Sequence, residues 1–194
     1  MDRILVVLPN WFGETLFATP FLRALRQQRP AAFIATLGWP QCRDMLLHNP
    51  HVTEIMEYDE RGAHRGLMAK WRLAQALRAR RFDTAFILRN SLSRSLLLAA
   101  ARIPARIGFA NRKSGWVLTR RVAASVLARH KALSYLPLLE AVGLTVCTGP
   151  YEYFVSAQER RAAHEQLASH HLGSGRPFVI LHPGANWPHK RWAT

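Results

Sequence analysis

The sequence predicts an α/β fold with a Rossmann-like domain built on a parallel β-sheet. Short apolar segments of strand length alternate along the chain with longer amphipathic segments of helix length. Alternation of this kind produces right-handed βαβ units, in which helices cover both faces of a parallel sheet. The chain has 194 residues, 49% of them hydrophobic, which is enough for one full core. We therefore expect one complete domain over residues 1–150.

Five apolar segments have strand length, and several of them are rich in Ile and Val. They are RILVVL (3–8), AFIATL (32–37), TEIMEY (53–58), DTAFIL (83–88) and ARIGFA (105–110). Helices are expected between them, over about residues 14–28, 40–48, 65–80 and 91–102. In the third helix one apolar stripe should face the core, formed by Leu67, Met68, Trp71, Leu73, Ala74 and Leu77.

Residues 151–194 predict the beginning of a second domain. Ser156 and Glu159 have the spacing of a capping box and mark the start of a charged helix. The segment PFVILHPG (177–184) predicts a buried strand over residues 177–182, followed by a glycine loop. One helix and one strand do not close a core. We therefore expect a linker helix and the first strand of an incomplete second Rossmann-like domain, so that the chain looks truncated.

The charge balance predicts an anionic partner. Lys and Arg total 27 against 12 acidic residues, for a net charge of +15, which suits nucleic acid, a phosphorylated sugar or an anionic membrane. The arginines are scattered over several helices and do not form one recognition stripe, which disfavours nucleic acid. No apolar segment approaches the roughly 20 residues of a membrane span, and no secretory signal is present. We expect a cytoplasmic protein that is soluble or peripheral on a membrane, with free thiols at Cys42 and Cys147.

The loop PNWFGE after the first strand is the first candidate site, because ligands of open parallel sheets bind beyond the carboxyl ends of strands. Gly13 would allow a tight turn or the close approach of a ligand. Glu14 would lie at or near a helix N-terminus, where it could act as a general base or only stabilise the helix. The aromatic side chains of Trp11 and Phe12 could stack on sugar rings or pack under the first helix. Asn10, Trp11 and Gly13 are predicted to bind substrate.

Two further loops carry polar residues at predicted strand exits. In LRNSLSRS (88–95), Asn90 and Ser91 could bind substrate or simply cap a helix. Arg89 and Arg94 could meet phosphate or carboxylate, or remain solvated. In GFANRKSGWVLTRR (108–121), Arg112 and Lys113 form a basic loop with Trp116, which fits a phosphosugar or a lipid headgroup. A solvated run of charges is the alternative interpretation of that loop.

The segment LHPGANWPHKRW (181–192) predicts a diphosphate site in the second domain. The amides at Gly184 and Ala185 could approach the phosphates, and Lys190 could reach them as a point charge. The first loop is not GxGxxG, so a dinucleotide there is disfavoured. No Walker loop, HExxH, GxSxG or CxxC pattern occurs, so no metal site is predicted.

Taken in order, three stretches of the chain resemble the ADP-heptose:lipopolysaccharide heptosyltransferases (glycosyltransferase family 9), and within them the heptosyltransferase II type. The stretches are PNWFGETLFATPFLRAL, then FDTAFILRNSLSRSLL with IPARIGF, and then ILHPGANWPHKRW. The resemblance covers essentially all of residues 1–194. Its most specific parts are the W-x-G-acid loop and the PGA…KRW segment.

The resemblance implies a two-domain GT-B architecture and an inverting single displacement that needs no cofactor besides the donor substrate. The N-terminal domain would bind the acceptor, heptosyl-Kdo2-lipid A, and the second domain would bind ADP-heptose. Glu14 would stand where the family usually has Asp. Asn90 and Ser91 would match the polar strand exit that faces the acceptor, and Lys190 the lysine that contacts the donor diphosphate.

The resemblance also implies that the anionic inner-membrane surface is a partner and that nucleic acid is not. The chain alone is expected to lack turnover. Another GT-B nucleotide-sugar transferase is the alternative function, and a basic nucleic-acid-binding domain is a more distant one.

Overall fold

A computed structural model describes residues 2–89, 91–123, 131–172, 177–185 and 187–192. In these residues a parallel sheet is formed by β1 (Arg3–Val7), β2 (Phe33–Gly38), β3 (Glu54–Glu57), β4 (Thr84–Ile87), β5 (Ala105–Phe109) and β6 (Arg120–Val122). The helices are α1 (Phe12–Phe17), α2 (Thr19–Gln28), α3 (Leu67–Ala79), α4 (Leu92–Ala100), α5 (Pro137–Glu140) and α6 (Ala157–Ser169). The predicted Rossmann-like α/β fold is confirmed.

The central strand β1 is apolar throughout its buried part because both faces of the sheet are covered. Successive side chains of a strand point to opposite faces, so Ile4 and Val6 enter one core and Leu5 and Val7 the other. The first core includes residues of α2 and α5, and the second includes residues of α3 and α4. The sheet therefore lies between two helical layers.

The strand order is β3-β2-β1-β4-β5-β6. Val7, the last residue of β1, lies opposite Leu37 on β2 and Ile87 on β4. Since all pairs are parallel, the carboxyl ends of the strands lie along one edge of the sheet. The order reverses its direction between β1 and β4, which makes this pair the topological switch point of the fold.

The helix predicted over residues 14–28 is two helices, α1 and α2. The break falls at Ala18, just before Pro20 in the first turn of α2. Proline has no N–H to donate and clashes with the preceding turn, which favours a new helix start at this point.

The helix predicted over residues 40–48 does not form. A 3-10 helix covers Pro40–Cys42, and the following turns continue with i→i+3 hydrogen bonds such as Leu46 N to Arg43 O. These tighter turns bury Cys42 and Leu46 and end at Asn49, before Pro50. Strand β6 was not predicted, because RRV is short and mostly exposed and so lacks an apolar pattern.

The described chain divides into two compact units, Met1–Phe154 and Val155–Thr194. The second unit contains α6, whose predicted capping box is confirmed: the Ser156 hydroxyl accepts from Glu159 N at 3.0 Å, and the Glu159 carboxylate accepts from Ser156 N at 2.7 Å. The strand predicted over residues 177–182 is wrong. The residues are not in a strand, and Ile180 is 79% exposed. A strand requires neighbours for its backbone hydrogen bonds, and the described residues of this unit include none.

Candidate functional site

The candidate site is the carboxyl edge of the sheet at the switch point between β1 and β4. Asn10, Trp11, Gly13 and Glu14 follow β1, and Ser91 follows β4. Arg112 and Lys113 follow β5, the next strand along. Glu14 was predicted as a general base and the other residues as substrate-binding, and the sheet brings their loops to one edge. Asn90, predicted with them, lies outside the described residues.

Glu14 is the third residue of α1, so it lies in the first turn of the helix as predicted. The side chain is half-buried. Burial raises the pKa of Tyr135 to about 12, and the carboxylate of Glu14 adds to this shift.

Gly13 does not serve a tight turn. It lies inside α1, its φ is not positive, and a Cβ built on it would meet nothing within 4 Å. The space beside this residue is open, so the close approach of a ligand remains the prediction for Gly13. Trp11 and Phe12 are 53% and 50% exposed, so they are not packed under the first helix.

Arg94 was predicted to meet phosphate or carboxylate or to remain solvated, and it meets a carboxylate inside the protein, that of Glu60. Its side chain is 1% exposed. The guanidinium donates from Nη1 to the carbonyl oxygen of Leu8 at 2.5 Å and from Nη2 to Oδ1 of Asn10. Burial lowers the pKa of Arg94, and the carboxylate of Glu60, 3.6 Å from Nη2, acts against that shift. Arg94 therefore holds the first loop from inside the protein.

Tyr58 and Glu60 belong to this internal network, although the sequence analysis did not select them. The Arg94 guanidinium lies 5.7 Å from the centre of the Tyr58 ring, and the Tyr58 hydroxyl lies 3.2 Å from that of Ser93. Tyr58 comes directly after β3 and Glu60 soon after it, so both lie at the carboxyl edge. Their position just after a predicted strand could have identified them, since the same position led to the prediction of Asn10.

The carboxylates of the β1 and β3 exits differ in what they bind. Asp59 accepts backbone N–H bonds from Gly62 at 2.9 Å and Arg61 at 3.1 Å, and these bonds lower its pKa. Glu60 is paired with Arg94. Within the described part of the chain, no group donates a hydrogen bond to the carboxylate of Glu14, and no cation forms an ion pair with it. Of these three acids, Glu14 is thus the one free to accept a proton from a ligand.

Ser91 caps α4, since its hydroxyl accepts from Arg94 N at 3.4 Å. This supports the helix-cap interpretation for that side chain. The basic loop after β5 is shaped by Asn111, whose Oδ1 accepts from Ser114 N at 2.8 Å and from Lys113 N at 3.0 Å. The side chains of Arg112 and Lys113 are left exposed, where a phosphate could reach them.

The predicted donor-binding residues Gly184, Ala185 and Lys190 lie in the second unit. A Cβ on Gly184 would meet nothing within 4 Å. Arg191 Nε donates to Ala185 O at 2.9 Å, and Trp192 N donates to Pro183 O at 3.0 Å. Lys190 ends a 3-10 helix, Pro188–Lys190, and its side chain is exposed. The loop is thus closed on itself by local hydrogen bonds.

Neither a metal site nor a membrane-spanning helix occurs among the described residues. No three His, Cys, Asp or Glu side chains there are placed to hold a metal ion. None of the helices in those residues is long and apolar enough to cross a membrane.

A doubly wound parallel sheet with a polar site at its switch point defines the class of Rossmann-like ligand-binding domains. Within that class, the family model for glycosyltransferase family 9 (heptosyltransferase) matches residues 70–194. The chain therefore belongs to glycosyltransferase family 9, a family of GT-B enzymes.

Similar proteins agree with this assignment. The chain is 28% identical over 199 residues to lipopolysaccharide heptosyltransferase 2 of Salmonella typhimurium, a match that covers 98% of this chain and 56% of the relative. The solved structure of E. coli ADP-heptose lps heptosyltransferase II is 27% identical with a TM-score of 0.78, over 100% of this chain and 58% of that one. A glycosyl transferase family 9 structure from Veillonella parvula DSM 2008 has a TM-score of 0.90 at 24% identity and covers 100% and 57%. The chain spans about 56% of the length of the curated relatives it matches.

Proposed function

We propose that this chain is the acceptor-binding part of a heptosyltransferase, which transfers heptose from ADP-heptose to heptosyl-Kdo2-lipid A of the lipopolysaccharide inner core. The observation that carries the proposal is the Glu14 carboxylate, which is half-buried at the switch point and without a bonding partner among the described residues. Support for heptose as the sugar comes from the names of the relatives, which are heptosyltransferases.

In the proposed reaction, the carboxylate of Glu14 takes the proton of an acceptor hydroxyl as that oxygen attacks the anomeric carbon of the heptose. The new C–O bond forms on the face opposite the leaving group, so the configuration is inverted. The bond from the anomeric carbon to the ADP oxygen breaks, and ADP leaves with the electron pair. The proton remains on Glu14 until solvent removes it.

The basic loop after β5 would bind the phosphorylated part of the acceptor, because Arg112 and Lys113 are exposed cations at the same edge. Gly184, Ala185 and Lys190 would contact the donor diphosphate from the second unit. The enzyme would act at the cytoplasmic face of the inner membrane, where an anionic surface would attract a chain with a net charge of +15.

The general-base assignment is tested in a completed enzyme, which is this chain followed by the donor-binding half of E. coli lipopolysaccharide heptosyltransferase 2. Glu14→Gln should lower the transfer rate about 10²–10⁴-fold, because the amide keeps the shape but does not accept the proton. Glu14→Asp should retain substantial activity. Both rates are measured as acceptor-dependent ADP release, together with the melting temperature.

The matched control is Glu140→Gln, at an exposed acid of α5 outside the site, which should leave the rate unchanged. If Glu14 serves only as a helix-terminus charge, Glu14→Gln should lower stability by about 0.3–1 kcal/mol and leave turnover near normal. That result would remove the base assignment.

A further inference from the structure

An apolar groove lies between α3 and α4, on the outer surface of the first unit. Its volume is about 580 Å³, and its walls include Leu67, Trp71, Leu92 and Leu96, with Lys70 and Ser93 among the polar residues. The proposed reaction does not use this groove.

The groove exists because the apolar stripe of α3 is only half covered. Leu73, Ala74 and Leu77 are buried as predicted. Leu67 is 88% exposed and Trp71 is 54% exposed, and Met68 is exposed with them, so for this first part of α3 the predicted burial is wrong. The neighbouring helix α4 adds Leu92 and Leu96, which are also exposed. A contiguous apolar patch of this kind marks an interaction surface.

The charged side chain that lines the groove is a cation, Lys70, and a second basic residue, Arg65, is exposed just before α3 begins. Neither α3 nor α4 contains an Asp or Glu residue. Leucine and tryptophan beside Lys and Arg are typical of helices that lie in the interface of an anionic bilayer. A protein partner that packs an apolar ridge into the groove would not by itself require basic residues beside it.

The groove adjoins the candidate site. Lys70 Nζ donates to the Ser93 hydroxyl at 3.2 Å, and the same hydroxyl lies 3.2 Å from that of Tyr58, whose ring contacts Arg94. A short chain of contacts thus joins the groove to the loop that carries Glu14.

We propose that the α3–α4 groove and its basic border dock this chain onto the surface of a bilayer that contains anionic phospholipid. Leu67, Trp71, Leu92 and Leu96 enter the boundary between headgroups and acyl chains, and Lys70 and Arg65 meet the phosphates. The docking deepens the proposed function, since it holds the site loops beside the membrane in which a glycolipid acceptor is embedded. It requires neither donor nor acceptor, so it is tested independently of transfer.

The test is co-sedimentation of the 194-residue chain with vesicles of phosphatidylcholine alone and of phosphatidylcholine with phosphatidylglycerol, both free of glycolipid. The chain should bind the anionic vesicles and not the neutral ones. The double variant Leu67→Ser/Leu96→Ser should bind the anionic vesicles at least about tenfold more weakly, because two exposed apolar side chains no longer enter the bilayer. Trp71→Ser, a separate variant, should also weaken binding. The control Leu47→Ser changes a leucine outside the groove whose exposure is similar to that of Leu96, and it should bind like the unchanged chain.

Equal binding by the double variant and the unchanged chain would overturn the proposal, because charge alone would then account for the membrane affinity. A chain that ignores anionic vesicles but forms a dimer that the double variant abolishes would also overturn it, since the groove would then hold a second copy. Light scattering on the same samples measures the dimer. Loss of vesicle binding with normal ADP release from the completed enzyme on a soluble acceptor would support docking and leave the proposed transfer intact.

Discussion

At the scale of single residues, Arg94 determines the form of the site without lying open to a ligand. It satisfies the carbonyl of Leu8 and the side chain of Asn10, which are 86 and 84 residues away in sequence. It also pairs with Glu60 from the exit of β3. The loop that carries Glu14 is therefore tied to α4 by one buried cation, and the position of the carboxylate depends on it.

The loss of this cation should be strongly destabilising. Arg94→Met keeps much of the side-chain length but leaves the Leu8 carbonyl and the Asn10 amide oxygen without their donor. Each unsatisfied buried acceptor costs about 1–3 kcal/mol, so the loss of the donor to both should lower the free energy of unfolding by about 2–6 kcal/mol. Arg89→Met, at an exposed arginine five positions earlier, should change it by less than about 0.5 kcal/mol. Urea denaturation of both variants provides the measurement, and similar effects at the two positions would contradict the role of Arg94.

The sequence could place the site residues on the correct loops but could not distinguish buried from exposed arginines. Arg89 and Arg94 lie in one polar segment, and their chemistry is the same. What separates them is the presence of acceptors from distant strands, which only the assembled sheet brings together. Asn10 and Glu14, in contrast, could be found, because a polar residue at the exit of a buried strand is visible in the sequence itself.

At the scale of elements, the best-predicted features are those with local causes. The capping box of α6 depends on two residues three positions apart, and it forms as expected. The strand predicted over residues 177–182 depends on partner strands, and apolar content alone does not produce one. The first part of α3 likewise shows that apolar content alone does not predict burial, since an apolar stripe can face a solvent-exposed groove as well as a core.

Helix α6 has no buried residue, so its stability should depend on its cap more than on packing. Ser156→Ala removes the hydroxyl that accepts from Glu159 N and should destabilise the helix by about 1 kcal/mol. Ser169→Ala, at the other end of the same helix, removes a hydroxyl that only donates to the Gln166 carbonyl and should change helix stability much less. Hydrogen exchange of the amides in residues 157–169 measures both effects. Faster exchange in Ser169→Ala than in Ser156→Ala would show that the cap is not what stabilises α6.

At the scale of the whole molecule, the chain carries a first unit with a six-stranded sheet and a second unit whose described residues form no sheet. The relatives it matches extend well beyond it, to nearly twice the aligned length. Transfer between two substrates depends on holding both of them in one geometry, which contributes roughly 7–11 kcal/mol in favourable cases. A chain that binds the acceptor but does not fix the donor should lack that contribution.

Acceptor-dependent ADP release is the measurement that tests the central claim most directly. With ADP-heptose and heptosyl-Kdo2-lipid A, the completed enzyme should release ADP at a rate that depends on the acceptor, and the 194-residue chain alone should release none. Release of ADP by the chain alone would contradict the need for a second substrate-binding half. No acceptor-dependent release from a folded completed enzyme would contradict the assignment of this chain as the acceptor side of a heptosyltransferase.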